Sequence, residues 1–329
     1  MTKKILVAGG AGYIGSHMVA CLLRAGYESI VADSLVTGHS EAVKGARLLE
    51  GDLRDRKFLR EIFSENEIDG VIDFAAFSLV PESAADPLKY YSNNVVGAIE
   101  MLDVMREFGV SKIVFSSTAA TYGEQKAMPI AEDAQTSPTN PYGETKLAIE
   151  KMLKWCDEAY GIKYAALRYF NAAGADNAAG IGEDHSPETH LIPNVLKAAL
   201  GQRDYVEIFG DDYPTPDGSC IRDYIHILDL VRAHLLAYEH LSSKKESGIF
   251  NLGSGSGFSV KEIVEQAREI TGKEIPARIS PRRAGDSSTL VASNLRAKEV
   301  LGWQPELGLK EIIQSAWHWH GENPKGYAK

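Results

Sequence analysis

A tyrosine and a lysine stand four residues apart in the segment Tyr142-Gly-Glu-Thr-Lys146, which continues as Leu-Ala-Ile-Glu-Lys-Met-Leu. The segment predicts a helix, and side chains four residues apart lie on one helical face. A phenol has an ordinary pKa of about 10, and a nearby cation favours its phenolate. Lys146 could supply that cation, so that Tyr142 acts as a general base. The pair alone would equally suit an ordinary surface helix.

The composition of the chain limits the kinds of protein to which it can belong. With 329 residues, 44% of them hydrophobic, the chain is long enough for two domains or one large α/β domain. Its net charge of -10 argues against a nucleic-acid partner but allows an anionic small ligand held by local arginines. Cys21, Cys156 and Cys220 form no metal or disulfide pattern, and the sequence predicts no metal site. Because we find neither a signal peptide nor a membrane span, we expect a cytoplasmic protein without a membrane partner.

Glycines follow the first predicted strand, Ile5-Leu-Val-Ala8, in the segment Gly9-Gly-Ala-Gly12-Tyr-Ile-Gly15, and a predicted helix over 16–25 comes next. A strand, a glycine turn and a helix N-terminus let backbone N–H groups approach a pyrophosphate. The second predicted strand ends in Asp33, at the distance where a ribose hydroxyl would be bound. An acid there would repel a 2′-phosphate, which favours NAD over NADP. The alternative is that Asp33 only caps a turn.

Strands and helices alternate through the rest of the first half. Further strands are predicted at 47–50, 70–74 and 112–115, and helices from 56, over 88–108 and around 142. This alternation predicts a Rossmann-type α/β fold, a doubly wound parallel sheet covered on both faces. We assign residues 1–170 to an NAD-binding domain. Residues 171–329 form a smaller mixed α/β substrate-binding domain, some segments of which should pack on the first.

Small and polar residues occupy the loops at the carboxyl ends of these strands, where parallel sheets bind ligands. Ala75 and Ala76 would let a cofactor lie close to the backbone. Thr118 can donate and accept hydrogen bonds beside Tyr142. Each loop could be a plain connection, but together with Lys146 they favour a cofactor site.

The second half offers cations for an anionic ligand. Its helix–strand pattern loosens after residue 170. Arg222 and the later pair Arg282-Arg283 are available to clamp a diphosphate, which guanidinium groups suit well. Surface ion pairs are the alternative interpretation of these arginines.

Five segments carry a family resemblance: Gly9–Gly15, Asp52–Leu53, Tyr90–Asn94, Phe115–Gly123 and Tyr142–Lys146. Together they resemble the extended short-chain dehydrogenase/reductase superfamily, and within it the UDP-glucose 4-epimerase family. The resemblance runs nearly end to end. It implies a tightly held NAD, with the tyrosine as acid/base and the lysine binding the nicotinamide ribose and lowering the tyrosine pKa. It also implies that a threonine in the fourth segment, Thr118, orients the substrate hydroxyl.

The resemblance implies two sets of binding residues. The cofactor set is Gly9, Gly12, Tyr13, Ile14, Gly15, Asp33, Ser34, Asp52, Leu53, Phe74, Ala75, Ala76, Asn93, Tyr142, Lys146, Tyr169 and Phe170. The UDP-sugar set is Thr118, Asn171, His190, Leu191, Phe209, Arg222, Tyr224, Arg283, Asp286 and Leu290. In the second set the two arginines would hold the pyrophosphate, the aromatic rings would lie near the uridine, and Asp286 would bind its ribose.

The implied activity is inversion at C4 of a UDP-hexose through a 4-keto sugar. Nucleotide-sugar dehydratases and decarboxylases of this fold place acidic residues just after the active-site Thr or Ser, where this chain has Ala119 and Ala120. A non-catalytic NAD-binding module is a further alternative, which the retained Thr118, Tyr142 and Lys146 disfavour.

Two finer expectations concern the sugar pocket and assembly. A tyrosine at the position of Leu290 resembles a gate against an N-acetyl group at C2, so leucine predicts some turnover of UDP-N-acetylglucosamine. Alternatively, Leu290 is only a strand core residue. The resemblance also implies a homodimer built from helices 88–108 and 142–160.

Overall fold

The computed structural model describes residues 3–244, 246–283 and 287–327. Asp286 lies outside these described residues. The strands in chain order are β1 (Lys4–Ala8), β2 (Glu28–Asp33), β3 (Arg47–Glu50), β4 (Ile68–Asp73), β5 (Lys112–Ser116), β6 (Lys163–Tyr169), β7 (Asn171–Ala173), β8 (Val206–Phe209), β9 (Ile221–Arg222), β10 (Tyr224–His226), β11 (Gly248–Leu252), β12 (Phe258–Ser259), β13 (Ala277–Ser280) and β14 (Thr289–Leu290).

The α-helices are α1 (Tyr13–Arg24), α2 (Arg56–Glu65), α3 (Val80–Ala85), α4 (Pro87–Tyr90), α5 (Gly97–Glu107), α6 (Pro141–Tyr160), α7 (Leu191–Ala199), α8 (Ile227–Ser243), α9 (Val260–Thr271) and α10 (Leu309–Glu322). Short 3₁₀ segments cover Ser40–Ala42 and Ala119–Thr121, and π-helical turns cover Tyr91–Val96 and Ala297–Leu301. Among the described residues, no helix has the length and apolar character needed to cross a membrane.

Seven parallel strands form the central sheet in the order β11-β6-β5-β4-β1-β2-β3. The strand order reverses between β1 and β4, which creates a crevice at their carboxyl ends. Doubly wound sheets bind their ligands at such a switch point. The predicted Rossmann-type fold is therefore confirmed.

Side chains of β1 show how both faces of the sheet are covered. Ile5 and Val7 belong to an apolar cluster with α1 and α8, whereas Leu6 and Ala8 belong to a second cluster with α2, α5 and α6. Successive side chains of a strand point to opposite faces, so a strand between two helical layers must be apolar throughout. The two clusters fix β1, and with it the position of the glycine turn that follows.

Part of the chain's second half returns to this sheet. Helix α8 packs in the same cluster as α1, and β11 pairs with the edge strand β6. A third cluster holds α7, α9 and α10 together and includes Val195, Ile263 and Ile312. The division at residue 170 stays a prediction.

The helix predicted over 88–108 is present as unbroken helical backbone over 87–107, but its middle differs from the expected α-helix. The chain instead forms α4, the π-helical turn and α5 in succession. Within the wider turn, Asn94 is buried and its amide contacts both Phe77 N (2.9 Å) and Thr145 Oγ1 (3.1 Å). These partners are distant in sequence, so a local helical pattern could not reveal them. Such π turns are frequent at functional sites.

Candidate active site

Helix α6 carries Tyr142 and Lys146 on an inward face. Asn140 caps the helix by accepting a hydrogen bond from Gly143 N (2.9 Å), and Pro141 occupies the first turn, where its missing N–H is tolerated. The four-residue spacing continues to Glu150, so three polar side chains follow one stripe of the helix. Lys146 and Glu150 are buried. The pair is therefore not part of an ordinary solvent-exposed helix surface.

Thr118 lies beside Tyr142, just beyond the end of β5. It begins the 3₁₀ segment, where its Oγ1 accepts a hydrogen bond from Ala120 N (3.2 Å). Burial raises the pKa of Tyr142 to about 12, although a hydrogen bond with Thr118 lowers it. The chain alone thus keeps the phenol protonated. The low tyrosine pKa that we predicted is not a property of the chain by itself, because burial outweighs every other influence on the phenol.

The ammonium of Lys146 lies at the end of β5. Its Nζ donates a hydrogen bond to Ser116 O (2.8 Å) and lies 4.7 Å from the centre of the Phe115 ring. Burial lowers the pKa of Lys146 to about 8, against the opposing charges of Asp73 and Glu150. The ammonium therefore keeps its proton at neutral pH and offers a fixed positive charge at the end of β5.

The glycine turn between β1 and α1 leaves no room for side chains. A Cβ at Gly9, whose φ is +71°, would lie 2.7 Å from Ala75 N, and one at Gly15 would lie 2.1 Å from Gly9 O. Gly12 caps α1 without any side-chain hydrogen bond, and the first turn contains no acid. Tyr13 and Ile14 begin the helix. Backbone N–H groups at this helix terminus therefore remain available to an anion.

Asp33 holds the loop beyond β2 against the glycine turn. Its carboxylate accepts hydrogen bonds from Ala11 N and Leu35 N, both at 2.9 Å. A carboxylate has about four acceptor sites, so this turn-capping role leaves capacity for a ribose hydroxyl. Ser34 beside it is exposed.

Asp52 is engaged within its own loop. Its carboxylate receives the Arg54 guanidinium, with Nε at 2.9 and 3.0 Å from the two oxygens. Leu53 lies between them in the chain and contacts the second apolar cluster. The carboxylate of Asp52 is therefore already paired with a guanidinium before any ligand binds.

The other predicted cofactor positions lie at the ends of β4 and β6 and in the π-helical turn: Phe74, Ala75, Ala76, Asn93, Tyr169 and Phe170. Ala75 N donates to Asp73 Oδ1 (3.0 Å), which holds the loop close to Gly9. The hydroxyls of Tyr169 and Ser116 lie 2.6 Å apart. This interaction links the ends of β5 and β6.

Several predicted substrate residues meet around β9. Strand β14 pairs with β9 so that Leu290 lies opposite Arg222, whose Nη1 donates to Ser287 O (2.8 Å). Asn171 Nδ2 donates to Asp223 O (2.8 Å) on the adjoining segment. The Arg222, Leu290 and Asn171 positions are thus neighbours, although they are far apart in sequence.

The two aromatic residues predicted to lie near the uridine, Phe209 and Tyr224, have different surroundings. The guanidinium of Arg283 lies 3.8 Å from the centre of the Phe209 ring, a cation–π contact on the protein surface. Tyr224 is only 6% exposed and packs in the third apolar cluster. The structure therefore gives Tyr224 a packing role, and its contact with the uridine stays a prediction.

His190 is the residue before α7, which begins at Leu191 as predicted. Its Nδ1 lies 2.8 Å from Glu183 Oε1 and 3.0 Å from Glu188 Oε1. Burial lowers the pKa of His190, but these carboxylates outweigh it and raise the pKa to about 10. A substrate contact through the ring would have to use the other nitrogen.

Comparison with known proteins identifies the family. The profile of the NAD dependent epimerase/dehydratase family matches residues 5–253. A UDP-glucose 4-epimerase from Halalkalibacterium halodurans is 59% identical over 98% of this chain and 97% of that protein. A solved UDP-glucose 4-epimerase matches with a TM-score of 0.97 at 57% identity, covering 99% of this chain and 100% of the other. The Bifidobacterium longum enzyme, solved in complex with NAD+ and UDP, matches with a TM-score of 0.92 at 38% identity over 99% and 100%.

The chain belongs to the UDP-glucose 4-epimerase family. The NAD of this family fits the turn seen here, because only glycines leave the space and because the helix terminus and Asp33 are placed for a pyrophosphate and a ribose. Of the substrate residues predicted from the resemblance, Arg222, Leu290 and Asn171 are neighbours, whereas Thr118 lies beside Tyr142.

Sequence reasoning missed a buried ion pair beneath the site of this epimerase. Arg168 Nε donates to Glu150 Oε1 (2.9 Å), and Ser117 Oγ donates to the same oxygen (2.5 Å). The pair supports Lys146 and the loop of Thr118 from below. The spacing of Glu150 from Lys146 was the available signal, but a helical glutamate is more often a surface residue.

Proposed function

We propose that this chain is an NAD-dependent UDP-hexose 4-epimerase that interconverts UDP-glucose and UDP-galactose. The observation that carries the proposal is the meeting of Thr118, Tyr142 and Lys146 at the carboxyl end of β5. That end lies two strands from the glycine turn of β1, across the switch point of the sheet. An acid/base and a dinucleotide site thus face one crevice.

Tyr142 Oη removes the proton of the sugar 4-hydroxyl as C4 is oxidised to a ketone, and it returns the proton when C4 is reduced from the other face. A bound NAD would supply the hydride acceptor for the oxidation at C4 and the hydride donor for the reduction. Thr118 orients the same hydroxyl, and the positive charge of Lys146 stabilises the phenolate. The acid/base is regenerated in each cycle, so the chain needs no second proton-transfer residue.

The keto sugar must rotate to present its other face while the rest of the substrate stays bound. We assign this anchoring to Arg222 and Arg283, whose guanidinium groups suit a diphosphate, with Phe209 on the uridine side. Asn171 lies beside Arg222 and, with His190 and Leu191, completes the phosphate and sugar region. We thus propose that different residues bind the UDP group, which stays fixed, and the sugar, which moves.

The experiment is incubation of purified protein with UDP-galactose and no added NAD, followed by chromatography of the products. We expect UDP-glucose and UDP-galactose to reach a constant ratio, because the cofactor stays bound and is restored in each cycle. Stoichiometric release of NADH into solution would instead indicate a dehydrogenase. A dehydrated or decarboxylated sugar would indicate another activity of this fold.

The sugar pocket extends the proposal to a second substrate. Leu290 is half-buried and lies opposite Arg222 in the β9–β14 pairing. A leucine leaves more room at a pocket wall than a tyrosine, so an acetamido group at C2 would fit. We therefore propose that UDP-N-acetylglucosamine is also epimerised.

A homodimer forms the last part of the proposal. Exposed apolar side chains recur at spacings of three and five residues along α4, the π-helical turn and α5, and others lie on α6: Leu88, Tyr91, Val96, Ile99, Trp155 and Tyr160. Leu88 is 78% and Trp155 64% exposed. Contiguous exposed apolar surface marks an interface, and a two-fold axis would let two copies cover it mutually. Light scattering of wild type and Trp155→Glu tests this, with a monomeric wild type as the contrary result.

We place the protein in the cytoplasm, where its free cysteines would stay reduced.

A further inference from the structure

Two glutamates and two histidines converge in the loop before α7: Glu183, His185, Glu188 and His190. One ligand-type atom from each side chain lies within 4.8 Å of all the others. His190 Nδ1 lies 2.8 Å from Glu183 Oε1 and 3.0 Å from Glu188 Oε1. His185 Nδ1 lies 3.1 Å from Glu183 Oε1 and 3.8 Å from Glu188 Oε2. All four side chains therefore face a common point.

Hydrogen bonds within this cluster do not satisfy its polar atoms. Each histidine directs one ring nitrogen, with at most one proton, at two carboxylates. The side chains of Glu183 and Glu188 are only 5% and 3% exposed, and Glu188 Oε2 has no hydrogen-bond partner. An unpartnered carboxylate oxygen in a buried position is costly unless a cation faces it.

We propose that Glu183, His185, Glu188 and His190 bind one divalent transition-metal ion of the zinc class. Zinc binds imidazole nitrogen and carboxylate oxygen at about 2.0–2.2 Å, so neighbouring ligands in a tetrahedral shell lie roughly 3.3–3.6 Å apart. The four separations in the cluster lie on both sides of that range. The two carboxylates would balance the charge of the ion, and binding would displace the protons that the carboxylates keep on the two imidazoles.

The cysteine spacing predicted no metal site, because none of the four ligand-type residues is a cysteine. The pattern here is Glu-x-His-x-x-Glu-x-His, which places four ligand-type residues within one short loop. Imidazole and carboxylate together suit zinc and its neighbours in the transition series.

The loop joins the cofactor turn to distant parts of the chain. The ring of His185 packs edge-on against Tyr13, with 6.1 Å between ring centres. Asp184 accepts a hydrogen bond from Tyr327 N (2.8 Å), and its carbonyl oxygen lies 3.1 Å from His39 Nε2. A metal ion here would fix the loop beside α1, so it acts as a structural clamp and takes no part in the chemistry at C4.

The test uses untagged, cofactor-loaded protein, first treated with a chelator and then titrated with Zn²⁺ or Mn²⁺. We expect calorimetry and elemental analysis to give one ion per chain, and a rise in Tm on addition of the metal. Glu183→Gln and His185→Asn should each weaken binding at least about 100-fold, because each removes a direct ligand and loss of an outer-shell partner alone costs about 10–100-fold. His318→Asn is the matched control, because His318 faces Glu322 at 3.4 Å on the exposed side of α10 and should change nothing.

Absence of stoichiometric binding and of any Tm change in the wild-type protein would overturn the proposal. Unchanged affinity in His185→Asn would also overturn it, because the ion would then bind elsewhere. If the variants do not fold, the wild-type titration decides the question alone. The readout is metal content, so it does not depend on the epimerase activity.

Discussion

Replacement of Lys146 by alanine tests the electrostatic part of the mechanism. Burial raises the pKa of Tyr142 to about 12 in the chain alone, so at pH 8 only about one phenol in 10⁴ is ionised. A general base works best when its pKa is near the working pH. Positive charge in the loaded site must therefore lower this pKa by about 4, which corresponds to about 5.4 kcal/mol.

Lys146 can supply about half of that stabilisation. In the chain alone the pKa of Tyr142 is set by burial and by Thr118, so the ammonium of Lys146 must act on the phenolate in the loaded site. A unit charge at roughly 6 Å would contribute about 2.8 kcal/mol there at an effective dielectric constant of about 20. This lowers a pKa by about 2. The remainder would come from the positive ring of oxidised nicotinamide, and a phenolate beside Lys146 would in turn help the lysine keep its proton.

In Lys146→Ala we expect the rise of kcat with pH to move to higher pH by about 2, with turnover at pH 8 reduced about 50- to 100-fold. Turnover should recover toward pH 10, because the phenol itself is retained. Chromatographic separation of UDP-galactose and UDP-glucose measures kcat without coupling enzymes, and bound NAD is measured in the same samples. Lys154→Ala, an exposed lysine on the same helix, is the control. A lower plateau with an unchanged pH profile would refute the reasoning.

Four further substitutions test other parts of the site. Tyr142→Phe keeps the ring but removes the acid/base, so turnover should fall about 10²–10⁴-fold with NAD content intact; near-normal turnover would exclude this role. Gly15→Ala puts a Cβ 2.1 Å from Gly9 O, so gel-filtered protein should lose NAD, and full retention would contradict the assigned turn. Arg283→Ala should weaken UDP binding roughly 10-fold or more in calorimetry and spare NAD, whereas equal losses would put the arginine in another site. Leu290→Tyr should suppress turnover of UDP-N-acetylglucosamine and spare UDP-glucose; a wild type inactive on the acetylated sugar would refute the gate hypothesis.

The cofactor half of the molecule could be predicted from the sequence because its determinants are local. The apolar strand, the glycines 9–15 and the following helix are consecutive, and each step has a short-range physical cause. The spacing of Tyr142 and Lys146 fixes their shared face by helical geometry alone. The resemblance then placed the substrate residues, of which Arg222 and Leu290 proved to be neighbours across two paired strands.

Features that depend on packing between distant segments came only from the tertiary structure. Neither the buried Glu150–Arg168 pair nor the return of β11 to the sheet has a local signal, because each joins segments whose separation in the chain says nothing about contact. Burial also sets properties that residue type does not reveal. It raises the pKa of Tyr142 in the chain alone, and it places Tyr224 in the core. Residue type sets what a group can do, but desolvation and neighbours, which only the folded chain provides, decide its charge and its exposure.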